Sequence, residues 1–163
     1  DDIIRVFDTE TGEIIFKTPK FEAKIMAFEM DPVKPVIYFT LHTGDVVFYD
    51  YLKHKKIHSF KDPTFIANCM TIYSTGNILI LANYNVIRFL NTKNKKVFKT
   101  LKPNIHKIIN MAYDQQGRYL AVASDKVNIQ IWDLRYNKII KTLKGFFRTR
   151  FSPNKTNISI RKS

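Results

Sequence analysis

The stretch INMAYDQQGRYLAVAS, residues 109–124, preceded by His106 and followed by IQIWD, residues 129–133, decides how the rest of the chain is read. Apolar residues alternate with others on both sides of Gln116-Gly117, which reads as two short strands, Ile108 to Tyr113 and Tyr119 to Ala123, joined by a turn. A third strand, Asn128 to Asp133, ends in a bulky residue followed by a carboxylate. Its counterparts are Ile4 to Asp8, Val46 to Asp50 and Val86 to Asn91. The closing Asp8, Asp50, Asn91 and Asp133 are 42, 41 and 42 residues apart, so the chain is internally periodic.

The other strands recur at the same interval. A polar turn leads from each third strand to Glu13–Phe16, Lys56–Phe60, Lys96–Leu101 or Lys138–Leu143, and a break containing Pro or Gly follows. Next come Ile25–Phe28, Ile66–Tyr73, Ile108–Tyr113 and Phe147–Phe151, each before a turn. Val36–Leu41, Ile78–Ala82, Tyr119–Ala123 and Ile158–Arg161 complete the period. Four short antiparallel strands and no helix per 42 residues is what one propeller blade requires. The expected fold is all-β, about four blade-equivalents, with whole blades at 23–60, 65–101 and 107–143 and partial ones at 1–16 and 147–163. Phe7, Phe48, Phe89 and Trp132 are expected in the cores between blades. A ring of about seven blades is usual, so the chain reads as a segment of a larger propeller.

The order His106, strand, turn, strand, Trp132-Asp133 resembles the repeat of WD40 β-propellers, and the resemblance covers almost the whole chain. It implies a structural hydrogen-bonded network of His106, Ser124, Asp125 and Trp132. It departs from the family pattern in lacking a Gly-His pair, in having one residue more between Asp125 and the Trp, and in having Trp in one repeat alone. It also implies a non-enzymatic scaffold that organises larger assemblies through loops on its rims.

The 163 residues carry 45% apolar and 25% charged side chains without any run of 18 apolar residues, which excludes a disordered polyelectrolyte and a helical membrane span. The chain begins Asp1-Asp2, with no visible targeting peptide. One cysteine, Cys69, rules out an internal disulfide and two-cysteine zinc knuckles and suits a reducing, intracellular compartment. Net charge is +13, which suggests an acidic partner such as nucleic acid. Composition tempers that: Lys, Asn, Ile, Phe and Tyr make up 74 residues and Gly, Ala, Arg and Pro only 25, the mark of an AT-rich genome. Twenty of the 27 cations are Lys, whereas Arg suits bidentate phosphate recognition.

Catalysis has little support. His42, His54, His58 and His106 fall in different turns or strands with no ligand spacing, and no phosphate loop or nucleophile elbow occurs. No metal, cofactor or small-molecule substrate is expected. Asp8, Asp50 and Asp133 read as turn caps, Cys69 as a packed thiol and Ser152-Pro153 as a turn. The most informative surface feature is Lys20, Lys61, Lys102 and Lys144, spaced 41, 41 and 42 apart where one blade passes to the next, with Lys17, Lys99 and Lys141 nearby. Equivalent positions on a propeller share a rim, so these four are the candidate partner-binding rim. A second set, Lys55, Lys96 and Lys138, occupies the opposite turns. The expected role is a scaffold subunit of a large, RNA-containing assembly, such as a ribosome-biogenesis complex in the nucleus, nucleolus or cytoplasm. The alternatives are a protein-only scaffold in trafficking, cytoskeletal or ubiquitin-ligase complexes and an enzyme whose site lies outside this stretch.

Overall fold

The computed structural model describes residues 2–114, 116–126, 128–144, 147–151 and 158–162, the last two segments as backbone. Ser152-Pro153 lies outside the described residues. Every regular element among them is a strand: β1 (Arg5–Phe7), β2 (Ile14–Lys17), β3 (Ile25–Met30), β4 (Val36–Leu41), β5 (Asp45–Asp50), β6 (Lys55–Lys61), β7 (Cys69–Ile72), β8 (Ile78–Asn83), β9 (Val86–Asn91), β10 (Lys96–Leu101), β11 (Ile108–Tyr113), β12 (Tyr119–Ser124), β13 (Asn128–Asp133), β14 (Lys138–Lys144), β15 (Phe147–Phe151) and β16 (Ile158–Lys162). Each sheet is an antiparallel meander: β1-β2, β3 to β6, β7 to β10, β11 to β14, and β15-β16. The chain divides into two compact units, Asp1–Ala67 and Asn68–Ser163.

The period written in the sequence is enforced by its turns. Asp8 Oδ1 accepts the N–H groups of Glu10 and Thr11 at 2.8 Å each, and Asn91 Oδ1 accepts those of Lys93 and Asn94 at 2.9 and 3.0 Å. Asp50 and Asp133 cap the N–H groups of Lys53 and Arg135 in the same way, both at 2.9 Å. Four residues beyond each cap the backbone turns left-handed, at Gly12 (φ 74°), His54 (51°), Lys95 (63°) and Asn137 (54°). A polar cap that holds successive N–H groups and one left-handed residue reverse the chain in four residues.

The outer strand entered from each turn carries one extra residue. Ile15, Ile57, Phe98 and Ile140 have no partner in the registers of β1-β2, β5-β6, β9-β10 and β13-β14, and each is thus a β-bulge. All four are between 45% and 58% exposed, so each bulge aims an apolar side chain at solvent. Bulges interrupt a strand's free hydrogen-bonding edge, which opposes edge-to-edge association.

In the first unit, Ile4, Val6 and Phe16 of the β1-β2 sheet pack on Ile37, Phe39, Val47 and Tyr49 of the β3 to β6 sheet. In the second unit, Cys69, Ile80, Ile87 and Phe89 of the β7 to β10 sheet pack on Ile108, Leu120, Val122 and Trp132 of the β11 to β14 sheet. The opposite face of that sheet carries Ala121, Ala123, Ile129 and Ile131. The first strands of successive sheets run side by side, β7 against β11 and β11 against β15. Two readings of the sequence are corrected. Phe7 is 51% exposed, because alternation gives Val6 and not Phe7 the face that packs. Strand pairing in β7 starts at Cys69 and not Ile66; just before it, the Ala67 carbonyl accepts from the Thr40 hydroxyl at 2.9 Å and is thereby taken from the ladder.

Candidate functional site

The rim lysines sit at one end of their sheets. In the first unit Lys61 ends β6 opposite Asp45, and Lys20 follows β2. In the second, Lys144 ends β14 opposite Asn128 and Lys102 directly follows β10. Lys20, Lys61, Lys102 and Lys144 are all exposed. The second lysine set lies at the other end of the same strands, where Lys55, Lys96 and Lys138 pair with Asp50, Asn91 and Asp133. Lys99 is no free cation: its Nζ donates to Leu134 O at 3.3 Å and lies 4.9 Å from the Phe89 ring centroid. Partial burial lowers its pKa accordingly.

At the Lys102–Lys144 end of the second unit the chain folds a polar hollow of about 400 Å³, lined by Asn104, Ile105, His106, Ser124, Lys126, Asn128 and Gln130. Residues 104–106 come from the link between β10 and β11, Ser124 from the end of β12, Lys126 from the turn, and Asn128 and Gln130 from β13. Of the four residues assigned to a structural network, His106 and Asp125 meet, with Nδ1 at 2.8 and 3.0 Å from the two carboxylate oxygens. The Lys107 N–H donates to the same carboxylate at 3.3 Å, and the Asp125 N–H returns to Lys107 O at 3.0 Å. The His106 hydrogen bond, aided by Lys107 against partial burial, holds the Asp125 carboxyl below the usual carboxylate range.

Trp132 and Ser124 are not brought together. The indole N–H donates to Gln130 Oε1 at 3.1 Å, on its own strand two residues away. Ser124 Oγ is buried without a hydrogen-bond partner among the described residues. Gln130 was missed by sequence reasoning, yet it left a signal. Asn128, Gln130 and Trp132 share one face of β13 while Ile129 and Ile131 share the other, so a buried glutamine stands beside the only tryptophan. Such a residue needs a partner.

At the opposite end of this sheet, Arg118 Nε and Nη2 donate to Asp133 Oδ2 at 3.1 and 3.0 Å. The remaining histidines are spent on structure: His42 Nδ1 accepts the Lys24 N–H at 3.0 Å, His54 lies 5.2 Å from the Phe16 ring, and His58 lies 5.3 Å from Phe48. Cys69 is buried, and burial pushes its thiol up to about 12.

Four-stranded meanders whose first strands run side by side and whose faces pack sheet on sheet are the architecture of a propeller. Among solved structures, the crystal structure of the RRP9 WD40 repeats superposes with a TM-score of 0.69 over 88% of this chain at 15% identity. The fold is that of a WD40-repeat β-propeller. The chain spans 42% of that neighbour's length, so this WD40-like segment corresponds to less than half of it. No family model matches the propeller segment, and no curated protein sequence does. Among the described residues no helix is long and apolar enough to cross a membrane.

Proposed function

We propose that this chain is a non-enzymatic WD40 scaffold subunit of a large assembly that contains RNA, a ribosome-biogenesis complex being the preferred setting, in the nucleus, nucleolus or cytoplasm. In this reading the blades run 23–60, 65–101 and 107–143, with partial blades at 1–16 and 147–163. His106 and Asp125 brace the loop ahead of the third blade, Trp132 anchors its core, and Lys20, Lys61, Lys102 and Lys144 form the rim that meets the partner. The observation that carries it is the basic end of the second unit. Lys126 lines a polar hollow there, Lys144 is the register partner of its Asn128, Lys102 precedes its Asn104 by two residues, and residues 91–113 contain no acid. A cationic rim with little opposing charge is the electrostatic footprint of a phosphate-bearing partner.

A second reading, a protein-only scaffold in trafficking, cytoskeletal or ubiquitin-ligase complexes, is favoured by the four exposed bulge residues Ile15, Ile57, Phe98 and Ile140. Apolar side chains repeated on outer strands suit a protein surface better than a phosphate backbone. Fluorescence-anisotropy titration of an RNA oligonucleotide at several salt concentrations separates the two. Each lysine in contact contributes about 0.7 to 0.9 to the slope of log affinity against log salt, so replacing all four rim lysines with Gln should flatten it by roughly 3. An unchanged slope, or no RNA binding at low salt, refutes the RNA reading and promotes the protein-only one.

A further inference from the structure

We propose that the hollow lined by residues 104–106, Ser124, Lys126, Asn128 and Gln130 is a subsite for a phosphate group of RNA, with Ser124, Gln130 and Lys126 as the groups that bind it. This rests on the RNA reading of the rim and adds to it a discrete site.

Among the described residues, six of the seven side chains that line the hollow are polar, one is a cation and none is a carboxylate. Asp125, the acid beside the hollow, is already engaged by His106 and the Lys107 N–H. Gln130 spends its carbonyl on Trp132, which leaves the amide N–H groups as what it offers a ligand. Lys126 adds a flexible positive charge.

Ser124 is 6% exposed, lines the hollow, and its hydroxyl is unmet among the described residues. A buried polar atom without a partner is costly, and an acceptor-rich ligand such as a phosphate satisfies it with an O–H···O⁻ bond, among the stronger hydrogen bonds in proteins. Strands β12 and β13 hold Ser124 and Gln130 in a fixed register, Val122 against Gln130 and Ala123 against Ile129, so the donors are placed before a ligand arrives.

Lys144 is the register partner of Asn128, and Lys102 lies two residues before Asn104. A strand of RNA running along Lys102 and Lys144 passes the hollow, and the hollow's volume of about 400 Å³ falls in the range that admits a nucleotide-sized group.

The test is NMR titration of the full chain with uridine 5′-monophosphate, uridine and inorganic phosphate, alongside RNA anisotropy titrations of Ser124→Ala and Lys126→Gln. The expected result is shifts of the Ser124, Lys126 and Gln130 amides with the monophosphate and with phosphate but not with uridine. Ser124→Ala should weaken RNA binding about tenfold without changing the salt slope, and Lys126→Gln should reduce the slope by about 0.7 to 0.9. Equal shifts with uridine, no shifts at the hollow, or an affinity within twofold of wild type in Ser124→Ala overturns the subsite. If the fourfold lysine variant still flattens the slope in that case, the rim reading stands alone. A serine-phosphorylated peptide that shifts the same amides, where RNA does not bind, overturns the RNA assignment.

Discussion

Replacing Trp132 with Ala should destabilise the protein by about 3 to 5 kcal/mol. The ring is 8% exposed and packs in the cluster formed with Ile80, Phe89, Ile108 and Leu120. A buried tryptophan removes about 150 to 250 Å² from water, and at about 25 cal/mol per Å² that corresponds to about 4 to 6 kcal/mol, part of which alanine retains. The substitution also strands Gln130 Oε1, 7% exposed at the residue level, without its indole donor, which adds about 1 kcal/mol. Trp132→Phe separates the two contributions, since it keeps a ring and deletes the N–H, and should cost about 1 to 2 kcal/mol. Combined with Gln130→Ala in a double-mutant cycle, it should show a coupling of about 1 kcal/mol. The assay is urea denaturation of the full chain followed by far-ultraviolet circular dichroism, because the only tryptophan, and most of the fluorescence signal, disappears with the substitution. If Trp132→Ala melts within about 0.5 kcal/mol of wild type, the residue is not a core anchor, and the packing of β11 to β14 on β7 to β10 is refuted.

Other outcomes follow from the turns and from two buried groups. Lys95→Gly should stabilise by up to about 1 kcal/mol in the same urea assay, because Lys95 holds the left-handed turn position that Gly12 occupies in the first repeat; a loss of stability would refute the equivalence. Gly44→Ala should cost more than about 2 kcal/mol, since φ is 86° and a Cβ would collide with the backbone carbonyl of Asp62, which has no side-chain freedom to yield. Burial pushes the Glu29 carboxyl from 4.5 up to about 7, so the folded state keeps a proton that the unfolded state releases between those values. Stability should therefore be full below about pH 4.5 and decline by roughly 3 kcal/mol as pH rises through 7, and Glu29→Gln should remove that slope in denaturation curves at pH 5 and 8. Cys69, with its thiol pushed up to about 12, should react with iodoacetamide only in denaturant; rapid alkylation of the native protein would contradict its burial.

The repeat was legible because its determinants are local. A carboxylate or amide at residue 8, 50, 91 or 133 reaches N–H groups two or three residues on, and alternation assigns strand faces within six residues. Strand positions read from sequence for β9, β10, β11 and β13 coincide with the observed ones for that reason. The periodic lysines were legible too, as was the pairing of His106 with Asp125, though the latter came through resemblance and not through spacing.

The sequence by itself determined a 42-residue period of four strands, the capped turns between them, a cationic surface and one tryptophan closing a strand. Only the tertiary structure decided that Phe7 faces solvent while Val6 is buried, that the same position of the outer strands β2, β6, β10 and β14 bulges, and that Trp132 bonds Gln130 while the Ser124 hydroxyl meets no partner among the described residues. The physical reason is range. Turn chemistry acts over four residues, whereas the hollow assembles residues as far apart as Asn104 and Gln130 from a link, a strand end, a turn and a second strand, and the Ser124 hydroxyl is left without a partner among the described residues only once the sheet register has fixed what it cannot reach.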